Sequence, residues 1–259
     1  MRIALVGSVL VFFAAAAVAQ TSGSCSISAG KSDESMSFEW SQSGNCSGGR
    51  HCHDGSRDNM PWSEWGKWSG IVPGDLDREG ATLDARRNAE AGEMRCAGTV
   101  HLGALRGSYS FTPSAEFARK MEAMGFGDQT PERLQGYAFL DVTTGWVKGM
   151  RDLHVADMTA ENLMGLKALG VDPDYVRGMA AAGYPELSAD KLTGMKAVGV
   201  SPEKVKAVRA MGFSPTEDEL VQMSVFKIDA PFVERMKARG FKNLTIARLV
   251  QIKVFQLDE

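Results

Sequence analysis

From residue 112 onward the apolar positions recur on a fixed period. Phe117, Trp146, Tyr175, Lys204 and Phe232 share one position, at intervals of 29, 29, 29 and 28 residues, with a lysine standing once where the others are aromatic. Four residues on come Met121, Met150, Met179, Val208 and Met236, and four further Gly125, His154, Gly183, Gly212 and Gly240. A second series, Leu134, Leu163, Leu192, Leu220 and Leu249, is followed after three residues by Tyr137, Leu166, Met195, Met223 and Ile252. Spacings of three and four mark one face of a helix, and five matching units at one interval mark a repeat.

Each unit predicts two helices. Asp172 and Ser201 cap the first helix of their units, followed by Pro173 and Pro202 in the first turn, where a missing N–H costs nothing. Ser114 and Asp229 suit the same role. Gly183, Gly212 and Gly240 end these helices, because glycine enters the left-handed region without steric cost. The second helix opens at Thr130, Thr159, Ser188, Thr216 or Thr245, four residues before the marker leucine, and Thr216 with Glu219 has the spacing of a capping box. A lone pair of such helices buries too few large side chains to offset about 1 to 2 kcal/mol of backbone ordering per residue. The units are therefore expected to stack.

Ahead of residue 112 the period changes to two. "SMSFEWSQ" puts Met36, Phe38 and Trp40 on one side of a strand; "EMRCAGTVHL" does so with Met94, Cys96 and Val100, and "GSYSFTP" with Tyr109 and Phe111. "NAEAG" and "LGALRG" suit the hairpin connections between "ATLDARR" and the latter two strands. The pattern thus predicts an α+β chain. A small N-terminal antiparallel β meander of four or five strands fills residues 20–111, and a two-helix-per-unit α-solenoid of about five 29-residue repeats fills 112–259.

Composition adds location. "MRIALVGSVLVFFAAAAVAQ" has one basic residue, an apolar run and an Ala-Val-Ala end, the layout of a secretory signal peptide over 1–19; an uncleaved membrane anchor is the alternative. No later stretch is apolar enough to span a bilayer, so a periplasmic or secreted protein is expected. In that compartment the four cysteines, Cys25, Cys46, Cys52 and Cys96, favour two disulfides, with three pairings open. The net charge of −3 gives no bulk attraction to nucleic acid.

Candidate chemistry is sparse. Cys46, His51, Cys52 and His53 are zinc-type ligands within eight residues, but three of them are consecutive, which suits a tetrahedral ion poorly, and cystine formation competes. Trp62, Trp65 and Trp68 are spaced by three, and serve either as core or as an exposed aromatic binding patch. The spacing is similar to the tryptophan ladder of thrombospondin type 1 modules, although the cysteine pattern that follows that ladder is missing. Asn45 and Asn243 open glycosylation-type triplets, relevant only in a host that glycosylates. His154, in place of glycine, implies either a surface role or a helix that ends differently, and the methionines between Met121 and Met236 are either core or an adaptable groove.

Units such as "GVDPDYVRGMAAAGYPELSADKLTGMKAVGV" resemble the extracytoplasmic helical repeats of bacterial antirepressor-type membrane sensor metallopeptidases and their exported relatives without the peptidase. "AEAGEMRCAGTVHLGALRGSYSFTPSAEF" is similar to what precedes those repeats. The chain has no "HExxH" and no multi-span region, so the resemblance implies an exported sensor or binding arm and transfers no catalytic residue. "MKAVGVSPEKVKAVRAMGF" also resembles helix-hairpin-helix DNA-binding motifs. However, residues 111–259 hold 19 Lys and Arg against 20 Asp and Glu, which does not suit a phosphate backbone. The expectation is a binding or interaction module with a protein or peptide partner, no nucleic acid, no cofactor and no catalytic residues. A metal-dependent enzyme built on the Cys/His cluster and a purely structural envelope protein are the alternatives.

Overall fold

The computed structural model describes residues 21–32, 34–42 and 58–256. The leader expected over 1–19, Asn45 and the whole of Cys46, His51, Cys52 and His53 lie outside the described residues.

Six strands form one antiparallel sheet: β1 (Thr21–Ala29), β2 (Ser35–Gln42), β3 (Asp58–Glu64), β4 (Thr82–Ala89), β5 (Gly92–His101) and β6 (Ala104–Pro113). Their order is β3-β2-β1-β6-β5-β4, so the first strand pairs with the last. Two hairpin arms, β1-β2-β3 and β6-β5-β4, join along this central pair. The β5–β6 turn places Leu102 and Gly103 at φ 51° and 72°, the left-handed pair that a two-residue hairpin of matching twist demands.

The sheet curls. Gly98 and Gly107 face each other on β5 and β6, and a Cβ on Gly107 would lie 2.0 Å from the Ala97 carbonyl oxygen. Only bare backbone permits that approach. β1 and β5 therefore fold toward each other across β6, and Cys25 and Cys96 form a disulfide with a Cα–Cα distance of 5.9 Å. In a flat sheet, strands one apart would be separated by about 9.6 Å, twice the usual spacing. The inner face carries Ile27, Met36, Phe38, Met94, Leu105, Tyr109 and Phe111, all fully buried.

Ten short helices follow: α1 (Ala115–Ala123), α2 (Pro131–Leu140), α3 (Thr144–Asp152), α4 (Ala160–Ala168), α5 (Pro173–Ala181), α6 (Ala189–Ala197), α7 (Pro202–Ala210), α8 (Glu217–Val225), α9 (Ala230–Ala238) and α10 (Ile246–Val254). Each is opened by a Ser, Thr or Asp side chain that accepts the backbone N–H three residues on: Ser114, Thr130, Thr143, Thr159, Asp172, Ser188, Ser201, Thr216, Asp229 and Thr245. Odd helices pack on odd neighbours from α1 to α7, and even on even from α2 to α10. Mid-helix glycines let neighbours close up: a Cβ on Gly149 or Gly178 would meet the ring of Pro173 or Pro202 at 3.1 or 2.6 Å.

This architecture corrects the expected one. The β part is a large six-stranded sheet central to the fold, and the molecule is not a small meander followed by a helical solenoid. The expected arrangement had the helical units stack on one another after a small β segment. Instead α2 lies on β4, β5 and β6, and Phe139 at its end stacks on Trp40 with ring centroids 4.0 Å apart. A single apolar cluster runs from Cys25 and Ile27 in β1 to Ile252 in α10. The strand count was underestimated because β1, "TSGSCSISA", alternates serine with small or apolar residues and has the composition of a loop.

Candidate functional site

Alternation along β1 sends Cys25 and Ile27 inward and Ser24, Ser26 and Ser28 outward. The neighbouring strands continue the outer surface: Ser28 lies opposite Ser37, Ser26 opposite Glu39 and Ser24 opposite Ser41 on β2. On β6, Ser24 faces Ser108, and Ser26 faces Arg106. Three strands therefore present a hydroxyl surface with one charged row, Glu39–Ser26–Arg106, running across it. A hollow of about 330 Å³ opens here, lined by Ser24, Cys25, Ser26, Glu39, Trp40, Ser41, Arg106 and Gly107. Trp40 and Cys25 point into the core, so their backbone forms the floor. Ser24 and Ser41 share a hydroxyl hydrogen bond of 2.7 Å on the wall.

The charges at this hollow differ from those on β4 and β5. On β4 and β5 the exposed side chains are interlocked: Arg95 donates to both Asp84 oxygens at 2.6 and 3.0 Å, and Arg86 bridges Asp84 and Glu93 at 2.8 and 3.2 Å. Hydrogen bonds from Arg95 and then Arg86 hold the Asp84 carboxyl at a pKa of about 2. Among the described residues, neither Glu39 nor Arg106 has a hydrogen-bond or ion-pair partner. They sit one strand apart, about 10 Å at Cβ by the strand spacing, with the Ser26 hydroxyl between them. Such a row offers an acceptor for cations or N–H groups, a hydroxyl of either role and a planar guanidinium suited to carboxylate.

A second polar cluster fixes the sheet to the helices. Arg87 of β4 is 2% exposed and donates to the Phe139 carbonyl at 3.0 Å and to Asp141 at 2.9 Å, while Lys67 reaches the other Asp141 oxygen at 2.7 Å. Burial pushes the Asp141 carboxyl up, but Lys67 and Arg87 together outweigh it and hold the pKa below the ordinary value. Asp141 ends α2 in the left-handed region at φ 52°. Every group here is used internally, so the cluster is structural.

The helical surface closes its own aromatic rings. Lys167 lies 5.2 Å from the Trp146 centroid, Lys196 4.3 Å from Tyr175 and Lys253 4.2 Å from Phe232. Where Lys204 replaces the aromatic residue, its ammonium donates to the Ser224 hydroxyl instead. Burial lowers the pKa of Lys167 and of Lys204, in both cases against a nearby carboxylate that raises it.

The residues singled out from sequence lie partly within the described structure. Trp68 is buried against Phe38 with centroids 4.8 Å apart, and Trp65 is partly buried against the same core. Trp62 stands in β3, its side chain outside the described part. Trp65 and Trp68 therefore pack toward the core. Cys25 pairs with Cys96; Cys46 and Cys52, like His51 and His53, lie outside the described residues. His154 takes φ 56°, beside 88° to 94° for the glycines of the same series, so its helix ends as the others do and the imidazole is exposed. Met121, Met150, Met179, Met195, Met223 and Met236 are core. The hollow was missed from sequence, although the regular serines of "SGSCSIS" and the outward Glu39 in "SMSFEWSQ" carried its pattern.

The Cys25–Cys96 bond is compatible with an oxidising compartment. Among the described residues no helix is long and apolar enough to cross a membrane. Compared with models of protein families, with curated proteins and with solved structures, the chain has no match in any of the three.

Proposed function

We propose that the protein is an exported binding module, periplasmic or secreted, that holds a peptide-like ligand on the outer face of its sheet and does not convert it. The observation that carries this reading is the hollow over β1, β2 and β6, where Glu39 and Arg106 stand unpaired among the described residues while Asp84, Arg86, Glu93 and Arg95 on β4 and β5 are interlocked. An opposite-charge pair kept apart over hydroxyls gains little for stability and is placed for a third body. The leader-type N-terminus and the disulfide support export. The resemblance to the extracytoplasmic helical repeats of antirepressor-type membrane sensor metallopeptidases implies an exported sensor or binding arm, in keeping with this reading.

Backbone hydrogen exchange of the oxidised protein tests this. In the presence of a low-molecular-weight, peptide-containing extract of a bacterial periplasm, amides of residues 22–28, 37–41 and 104–108 should exchange more slowly than in buffer. Slowing confined to the helices, or none anywhere, would remove the reading.

A further inference from the structure

The charged row has a definite polarity. Crossing the three strands from β2 to β6, a ligand meets a carboxylate at Glu39, a hydroxyl at Ser26 and a guanidinium at Arg106, with the Ser24 and Ser41 hydroxyls alongside. A purely anionic ligand would be repelled at Glu39, and a purely cationic one at Arg106. A neutral sugar would seek an exposed aromatic face, and among the described residues the one ring in the lining, Trp40, is 7% exposed and turned to the core. The pattern is matched by a ligand carrying both charges at opposite ends. The volume of about 330 Å³ lies at the lower end of small-molecule sites, which suits a molecule of roughly ten heavy atoms.

Building on the binding reading above, we infer that the hollow takes a small zwitterion with a free ammonium and a free carboxylate, an amino acid or a dipeptide. The carboxylate sits on the Arg106 guanidinium, the ammonium on the Glu39 carboxylate, and the Ser24, Ser26 and Ser41 hydroxyls meet the polar groups between. The curl at Gly98 and Gly107 matters here. With β5 drawn in behind β6, Arg106 is outward and exposed beside Thr99, a neutral neighbour that leaves the guanidinium unclaimed.

The test uses the oxidised full chain and three matched probes followed by backbone amide NMR. Glycylglycine carries both charges, N-acetylglycine lacks the ammonium and glycinamide lacks the carboxylate. Glycylglycine should give saturable shifts at Ser24, Ser26, Ser41 and Gly107, and each single-charge probe should bind at least about tenfold more weakly. In Arg106→Gln, glycylglycine should bind no better than glycinamide. In Glu39→Gln it should bind no better than N-acetylglycine. Arg106→Lys, which keeps the charge without the planar fork, should retain part of the affinity. Both positions face outward, and unchanged thermal melting of the variants shows that any loss is local. Equal binding of all three probes, or no shift with glycylglycine to about 50 mM, would overturn the zwitterion. If the periplasmic extract still protected the hollow, the ligand class would be wrong and the binding reading would stand; if it did not, both would fall.

Discussion

Two glycines at the middle of helices show how one residue type serves opposite purposes. Gly178 in α5 faces the Pro202 ring, with 2.6 Å available to a Cβ, whereas Gly194 in α6 has nothing within 4 Å. Alanine gains about 1 kcal/mol over glycine in a helix interior, and overpacking against a rigid ring costs about 1 to 3 kcal/mol. Gly178→Ala should therefore lower the urea midpoint and Gly194→Ala should raise it; the same sign for both would show that the close approach at Pro202 does not set the spacing of α5 and α7. A third residue, Asp84, is read through pH. Its folded pKa, about 2, lies below the ordinary 3.8, so the stability it contributes is complete above the ordinary value and lost as pH falls through about 2. The stability difference between wild type and Asp84→Asn should be present at neutral pH and shrink across that acid window. A difference that did not depend on pH would show that the Arg86 and Arg95 contacts are not ionic in effect.

At the scale of elements, helices were easier to read than strands. The hydroxyl or carboxylate before each helix and the glycine after several of them are local rules, and local rules survive in sequence: Ser188, Ser201 and Thr216 cap where they were expected to. Strand pairing is not local. β1 pairs with β6 some eighty residues away, and its serines face solvent, so neither its partner nor its role was visible in its composition. The hollow depends on that pairing, because Glu39 and Arg106 come together only when β1 lies between β2 and β6. The disulfide was expected in kind, while its partners needed the curl at Gly98 and Gly107. Closing a separation of 71 residues, it should contribute about 4 kcal/mol by restricting the unfolded chain. Replacing Cys25 and Cys96 together by serine should lower unfolding free energy by that order, and reductant should have no further effect on this step. An unchanged midpoint would mean that packing at Gly107 alone holds the sheet closed.

For the molecule as a whole, the decisive feature is that sheet and helices bury one another. Tyr137 is fully buried in α2 and donates to the Ala160 carbonyl at 3.0 Å, tying α2 to α4. Phe139 and Asp141 at the end of the same helix hold Trp40 and Arg87 of the sheet. The period changes near residue 112, which is where the strands give way to helices. Where faces meet is decided by which apolar surfaces lack cover, and α2 has the sheet on one side and α4 on the other. Hydrogen exchange followed by mass spectrometry along a urea series measures this most directly. The account requires peptides from β4 to β6 and from α1 to α4 to lose protection at one midpoint. Retention of protection in the sheet after α1 to α4 have fully exchanged would contradict it.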